Sequence, residues 1–214
     1  DPFVTNRSKE AVDRVGCLPI FEKENAFEYL ENYEQVAIID ADIYIRDSAP
    51  DIFEEFGTKH AFGAVIEASM PITHEYQRKI LNYSRMQYSQ LAKKVPFNTD
   101  PYNGYQFHNM GLIVMNKSLL EYLNGQTPKE FIERPEFKDF VDGVGAYKWS
   151  TDQTLLNYWI RKYQVPTKNM SWKWNALYKG VRDECLRDAH FIHFFLKDKL
   201  PNKGENVEQL MSDL

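Results

Sequence analysis

The chain has 214 residues, of which 43% are hydrophobic and 27% are charged, and its net charge at pH 7 is −5. This length suits one substantial domain, so we expect a single domain over residues 1–214, with residues 202–214 irregular. The acidic balance argues against a nucleic-acid-binding surface and against a basic membrane-docking face. No apolar run is long enough to span a membrane and the first residues lack a signal-peptide pattern. The default expectation is a cytoplasmic location, with the Golgi lumen left open if the chain is a fragment of a longer one.

Strand and helix patterns alternate along the chain. A helical pattern over residues 25–33 leads into the apolar run 36–39, which is typical of a strand buried on both faces. Further strands are predicted over 61–66, 107–116 and 189–195, and helices over 51–56, 70–94 and 150–162. This alternation predicts an α/β fold with a mixed, mostly parallel central sheet flanked by helices.

Two carboxylates, Asp40 and Asp42, follow the apolar run directly. If the backbone stays extended, they project from the same face because strand side chains alternate. A charged pair at the end of a buried strand is costly unless something neutralises it. Two convergent carboxylates suit Mg²⁺ or Mn²⁺, and ligands bind at the carboxyl ends of strands in open α/β sheets.

His193 lies in the last predicted strand and is followed by Lys197, Asp198 and Lys199. A histidine on an apolar strand is more often a core residue than a ligand. Here, however, an imidazole and ammonium groups occur together near a strand end. Two carboxylates and one imidazole would leave metal positions open for a further ligand, and the lysines favour an anionic one such as a diphosphate.

Five segments in the same order resemble the retaining family 8 glycosyltransferases of the GT-A fold, the glycogenin-like and galactosyltransferase-like group. Together they span roughly residues 22–201, and their order is more specific than any one of them. The match consists of an Asp-x-Asp motif at Asp40-Ala41-Asp42, an Asn-x-Gly block and strand over 107–116, an Asp-Gln helix start over 150–157, a Trp-Asn segment over 172–175, and a His-x-x-Gly-x-x-Lys-Pro ending from His193.

The resemblance implies a UDP-sugar donor, UDP-glucose or UDP-galactose, a Mn²⁺ or Mg²⁺ ion and a glycan or other hydroxyl acceptor. It also implies roles for particular residues. Asp40, Asp42 and His193 match the metal ligands. The matches that contact the donor are Lys199 on the diphosphate, Asn109 and Asp152 facing the sugar, and Gln153 on the sugar face opposite the leaving group. Of these, Gln153 and Asp152 are the catalytic candidates. Apart from the resemblance, Lys23 or Arg14 is a candidate for the phosphates from its position upstream of the Asp-x-Asp motif.

Three features depart from the family pattern. Leu196 stands where the family has glycine, and Leu200 stands where proline usually follows the lysine, with Pro201 one residue late. Only 39 residues precede Asp40, fewer than the family uses to build its nucleoside pocket. Either the first strands of the fold are absent from these residues or the nucleotide lobe is shorter here. The nucleoside-contacting residues therefore stay unassigned.

The sequence favours a metal-dependent hexosyltransferase, and it leaves two alternatives. A haloacid-dehalogenase-like phosphatase also places Asp-x-Asp after a buried strand, but it would need a later strand ending in paired acids, which the sequence lacks. A non-catalytic, metal-dependent nucleotide-sugar or glycan-binding module is the other. Trp149, Trp172 and Trp174 could line an acceptor site, although core packing explains each of them equally well.

Overall fold

The computed structural model describes residues 19–195 and Met211. The predictions made for Arg14, Lys199, Leu196, Leu200 and Pro201, and for the tail over 202–214 apart from Met211, lie outside the described residues. Within the described range, the structure is a mixed α/β arrangement with three sheets. The described helices are too short or too polar to cross a membrane.

The strands are short except for one. Their bounds are β1 Gln35–Ile39, β2 Ile43–Ile45, β3 Phe62–Ile66, β4 Thr99–Asp100, β5 Gly104–Tyr105, β6 His108–Asn116, β7 Thr167–Asn169, β8 Ala176–Leu177 and β9 Phe191–His193.

The helices lie between these strands, and seven of the described ones are α-helical. They are α1 Ile52–Phe56, α2 His74–Tyr88, α3 Leu120–Leu123, α4 Pro128–Ile132, α5 Lys138–Asp142, α6 Asp152–Lys162 and α7 Asp183–Leu186. The 3-10 segments are Pro19–Glu31, Glu67–Ser69, Leu91–Lys93, Lys117–Leu119, Pro135–Phe137, Gly145–Tyr147 and Trp172–Trp174.

The largest sheet has the strand order β1-β6-β3-β7. Strand β6 runs antiparallel to both of its neighbours, whereas β3 and β7 are parallel. Three of the four strands therefore point the same way, and β6 alone is reversed between two of them. The prediction of a mixed sheet flanked by helices is confirmed, although two of its three neighbouring pairs are antiparallel.

The prediction that the strand over 36–39 is buried on both faces is wrong. Strand β1 lies at the edge of the described sheet, and all five of its residues are only half-buried. The fully buried centre is β6, whose residues Leu112, Ile113 and Val114 are inaccessible to solvent. A short apolar run is equally typical of an edge strand and of a central strand, because hydrophobicity alone does not show which neighbours a strand pairs with.

A second sheet with the order β2-β9-β8 brings the end of the described chain back to its beginning. Strand β2 pairs antiparallel with β9, and Ile43 lies opposite His193. Strand β8 pairs parallel with β9 on the other side. This register decides which side chains meet at the end of β1.

Helix α6 begins where the sequence indicated. Thr151 is its N-cap residue and Asp152 occupies the first helical position, where a carboxylate is favoured by the helix dipole. Its apolar face packs into the core through residues such as Leu155 and Trp159, both fully buried. The core therefore fixes the position from which Asp152 and Gln153 approach β6.

Candidate metal and sugar site

Asp40 and Asp42 converge through a turn and not through an extended strand, which corrects the expectation from strand alternation. Strand β1 ends at Ile39, and the Asp40 N–H donates to the Gly111 carbonyl at 2.8 Å. The Ile43 N–H then donates to the Asp40 carbonyl at 3.1 Å, which closes a tight turn before β2. The two carboxylates share one side because of this turn.

His193 completes the group from β9. The Phe194 N–H donates to the Asp42 carbonyl at 2.8 Å and holds β9 against the turn. His193 Nε2 lies 3.2 Å from Asp42 Oδ1 and 3.7 Å from Asp40 Oδ2. One ligand atom from each of the three residues lies within 4.8 Å of the others. The structure thus brings together the three residues that the sequence nominated.

The donor set fits a divalent cation. Two carboxylate oxygens and one imidazole nitrogen suit Mn²⁺ and, with its preference for oxygen, Mg²⁺. The Asp40 and Asp42 side chains are 26% and 32% exposed, whereas that of His193 is 6% exposed. The group is therefore anchored on the protein side and open on the other, where further ligands could approach. The metal-binding role itself stays a prediction.

Lys23 connects this group to helix α6. Its ammonium lies 2.5 Å from Asp40 Oδ1 and 3.3 Å from Asp152 Oδ2, and it donates to the Met110 carbonyl at 3.0 Å. The ammonium is thus surrounded by three protein oxygens. In this arrangement Lys23 neutralises and orients two carboxylates, and its predicted contact with a phosphate stays a prediction.

Burial and charge act against each other around Lys23. Burial disfavours the charged ammonium, but the Asp152 and Asp40 charges outweigh it and raise the pKa of Lys23. Burial also raises the pKa of Asp152, and the ammonium offsets only part of that effect. Fully buried Glu24 has its pKa raised well above the usual range, by burial and then by the Asp152 charge.

Asn109 and Gly111 form the floor of the site at the start of β6. Asn109 Oδ1 accepts from the Gly111 N–H at 2.9 Å, and Asn109 Nδ2 donates to Glu67 Oε2 at 2.8 Å. A Cβ atom at Gly111 would lie 2.5 Å from Cε1 of His193. Glycine is therefore required there because the imidazole packs directly against the backbone.

A chain of buried polar groups continues behind the imidazole. His193 Nδ1 lies 3.0 Å from Asn175 Oδ1, and Asn175 Nδ2 donates to Asn109 Oδ1 at 2.8 Å. At the far end, the Tyr76 hydroxyl donates to Glu67 Oε1. Burial raises the pKa of Glu67, and the bonds from Tyr76 and Asn109 offset part of that effect.

The sequence analysis missed Glu67, Tyr76 and Asn175 as site residues. Two signals were available. Glu67 directly follows the apolar strand β3, the same placement that drew attention to Asp40. Asn175 ends the 172–175 segment that resembles a family block, but no role came with it. Tyr76 carries no such signal, because its spacing on α2 is that of a core residue.

Gln153 lies beside a cavity of about 320 Å³ next to the site. Its Oε1 accepts from the Met110 N–H at 3.3 Å, and its Nε2 donates to the Tyr83 hydroxyl at 3.4 Å. The walls combine carboxylate, amide and aromatic groups, and the lining residues are Glu67, Tyr76, Lys79, Ile80, Tyr83, Asn109, Gln153 and Phe195. Two of the predicted donor-binding residues, Asn109 and Gln153, thus face one cavity.

The tryptophans separate into core and surface. Trp174 is fully buried and belongs to the core, whereas Trp149 is 61% exposed and lies three residues before Asp152. Trp172 is partly buried against the core.

The overall fold resembles known glycosyltransferases. Mouse xyloside xylosyltransferase 1 in its apo form superposes with a TM-score of 0.51 at 14% sequence identity, over 85% of this chain and 65% of that one. Galactosyltransferase LgtC, in complex with donor and acceptor sugar analogs, gives 0.48 at 14% identity, over 91% and 66%. The bifunctional glycosyltransferase WbbM gives 0.47 at 16% identity, over 82% and 31%.

No protein-family model matches the chain, and no curated protein matches it by sequence. The chain spans 65% of the length of the xylosyltransferase. At this level of identity the likeness concerns the fold. The resemblance to GT-A glycosyltransferases is therefore confirmed as a resemblance of fold. In this fold the group Asp40, Asp42 and His193 lies where the four-stranded sheet meets the three-stranded one.

Proposed function

We propose that this chain is a metal-dependent glycosyltransferase that moves a hexose from a nucleoside diphosphate sugar to a hydroxyl acceptor. UDP-glucose or UDP-galactose is the proposed donor, and the configuration at the sugar is retained. The observation that carries the proposal is the convergence of Asp40, Asp42 and His193 within 4.8 Å at the turn between β1 and β2. The GT-A fold supports the same conclusion.

The proposed metal site would hold the diphosphate. Asp40, Asp42 and His193 would bind Mn²⁺ or Mg²⁺, which stabilises the negative charge that a diphosphate acquires as it leaves. The two carboxylates alone would repel a diphosphate. Lys23 lowers that repulsion, because its ammonium lies 2.5 Å from Asp40.

The proposed sugar site lies between β6 and the start of α6. Asn109 and Gln153 present amide groups to the adjacent cavity of about 320 Å³, and Asp152 is held beside them by Lys23. Amides can donate to and accept from sugar hydroxyls in a fixed geometry. Their fixed hydrogen bonds to Gly111, Met110 and Tyr83 support a preorganised pocket.

The transfer breaks the bond between the anomeric carbon and the phosphate oxygen and forms one to the acceptor oxygen. The sugar passes through a state like an oxocarbenium ion. The acceptor hydroxyl loses its proton to the departing phosphate, so atoms and charge balance without a protein base. Gln153 would lie on the sugar face opposite the leaving group, where its carbonyl oxygen can stabilise positive charge.

The environment of Asp152 supports retention. An inverting enzyme needs a general base that the acceptor can reach, and Asp152 is the candidate that the resemblance places beside the sugar. However, Asp152 is 6% exposed and its Oδ2 lies 3.3 Å from the Lys23 ammonium. A buried, ion-paired carboxylate is better suited to orienting the donor than to accepting a proton from an incoming hydroxyl.

The test measures Mn²⁺ binding by calorimetry and transfer from a panel of UDP-sugars. In Asp42→Ala we expect metal binding and transfer to be lost, and chelation of the wild-type protein should abolish transfer as well. Asp47→Ala is the matched control, because Asp47 is an exposed acid five residues further along the same segment. Full transfer by Asp42→Ala or by the chelated protein contradicts the mechanism. Metal-dependent donor binding without turnover would instead identify a binding module.

A further inference from the structure

The chain of polar groups behind His193 has a fixed direction. We propose that Asn175 holds a proton on Nδ1 of His193, so that Nε2, the nitrogen facing Asp40 and Asp42, is the one left to bind a cation. The orientation of the Asn175 amide is set by its partner Asn109. The orientation of Asn109 is in turn fixed by the Gly111 N–H and the Glu67 carboxylate. Asn175 is thus a positioning residue for the proposed metal site. Its effect on metal binding rests on the proposed function, whereas its hydrogen bond to His193 does not.

The orientation of the Asn109 amide follows from partners that cannot reverse. The Gly111 backbone N–H can only donate, and it lies 2.9 Å from Asn109 Oδ1. The Glu67 carboxylate lies 2.8 Å from Asn109 Nδ2, and its other oxygen already accepts from Tyr76. If the Asn109 amide were reversed, its NH₂ group would face the Gly111 N–H and its carbonyl oxygen would face the Glu67 carboxylate. One orientation alone satisfies both ends.

The orientation of Asn175 follows in turn. Asn109 Oδ1 is an acceptor with a second lone pair, and the Asn175 side chain approaches it at 2.8 Å. Asn175 must therefore donate from Nδ2 there and present Oδ1 to the imidazole. Asn175 is fully buried and Glu67 is 5% exposed, so water does not offer either group an alternative partner cheaply.

The tautomer of His193 is the last step. A carbonyl oxygen accepts only, so His193 Nδ1, 3.0 Å from Asn175 Oδ1, must carry the proton. Nε2 then faces Asp42 Oδ1 at 3.2 Å and Asp40 Oδ2 at 3.7 Å, and without a cation it can donate a proton to these carboxylates. A cation bound there would replace that proton, and a ring that keeps its proton on Nδ1 and binds through Nε2 is the form in which an imidazole joins a metal site. Partners of this kind raise metal affinity about 10–100-fold.

Nitrogen NMR on protein with ¹⁵N-labelled histidine tests the tautomer directly. The spectra are recorded without metal. We expect Nδ1 of His193 to resonate as a protonated nitrogen, whether or not Nε2 shares a proton with the carboxylates of Asp40 and Asp42. In Asn175→Ala the proton should redistribute towards Nε2, and Mn²⁺ affinity measured by calorimetry should fall about 10–100-fold.

Two further variants make the test selective. Asn175→Asp keeps an acceptor for Nδ1, so we expect it to keep the tautomer even where Asn175→Ala folds poorly. Asn169→Ala is the matched control, because Asn169 Oδ1 contacts Nε2 of a different histidine, His108, at 2.9 Å. It should change neither the His193 resonances nor Mn²⁺ affinity.

The outcomes are separable from those of the proposed function. A wild-type spectrum in which Nδ1 of His193 is unprotonated overturns the inference, and so does loss of the Nδ1 proton in Asn175→Asp. An Asn175→Ala protein with unchanged tautomer and unchanged Mn²⁺ affinity overturns it too. If the wild-type protein has the expected tautomer but binds no Mn²⁺, the inference on Asn175 stands and the proposed function fails.

Discussion

Two histidines in this chain have similar surroundings and opposite electrostatics. His108 begins β6 and His193 ends β9, and each residue is 5% exposed. Each ring places one nitrogen about 3 Å from an asparagine oxygen, Asn169 for His108 and Asn175 for His193. By burial and by asparagine partner alone, the two could not be told apart.

The charges that face them make the difference. The other nitrogen of His193 faces Asp40 and Asp42, whereas His108 has the Arg161 guanidinium nearby. Burial and then that positive charge lower the pKa of His108 to about 4. A buried histidine with an amide partner is thus an ordinary structural feature. It is the two carboxylates that make His193 a candidate metal ligand.

The largest expected effect comes from removing each histidine in turn. In His193→Ala we expect Mn²⁺ affinity to fall by at least about a hundredfold, because a ligand is lost and not merely its support. In His108→Ala affinity should be unchanged, and the free energy of unfolding should fall by roughly 1–3 kcal/mol. Calorimetric titration and urea denaturation measure the two quantities. Equal losses of affinity in both variants would remove the distinction between the two histidines.

The pH dependence of stability sharpens the comparison at His108. Its folded-state pKa of about 4 lies below the ordinary 6.5, so the unfolded chain takes up the proton first as the pH falls. The stability that neutral His108 contributes is therefore present above about pH 6.5 and is lost as the pH falls towards 4. The loss is on the order of 3 kcal/mol at 1.36 kcal/mol per pKa unit.

The comparison with His108→Gln isolates that contribution. Glu67 and Asp152, whose pKa values are raised by burial, act in the opposite sense and gain stability on acidification. They are present in both proteins and cancel in the difference between the two unfolding curves. Parallel curves between neutral pH and pH 4 would contradict the assignment.

A smaller effect is expected from Gly111→Ala. The added methyl group would lie 2.5 Å from His193 Cε1, so the ring must move, and Mn²⁺ affinity should fall about tenfold. Gly63→Ala in β3 is the matched control, because its methyl group would meet the Phe56 ring at 2.7 Å instead. Both variants should lose roughly 1–3 kcal/mol of stability by overpacking. Only Gly111→Ala should lose affinity.

Much of this site could be predicted from the sequence, because its acids stand where apolar runs end. Asp40 and Asp42 follow one such run and His193 lies in another, and the structure brings these residues together. Helix α6 was predicted over 150–162, and it spans Asp152–Lys162. These features are local, so the sequence carries them within a few residues.

The rest depends on pairing between distant segments. The edge position of β1 and the antiparallel register between Ile43 and His193 are choices among strand partners, which an apolar pattern does not specify. Glu67 and Asn175 can be recognised as site residues only from their hydrogen bonds to Asn109. Hydrogen bonds across such distances are visible only after the chain has folded.

The turn at Asp40 joins the four-stranded sheet to the three-stranded sheet. Its N–H is bonded to β6 of the larger sheet, while the neighbouring Asp42 carbonyl receives a bond from Phe194 just after β9 of the smaller one. A cation held there would cross-link the first described strands to the last, closing a very long loop and thereby favouring the folded chain. Backbone amides of the small sheet should then exchange with deuterium more slowly as the ion is added. Strand β9, which supplies His193 to the site, would thus be protected by the ion that it helps to bind.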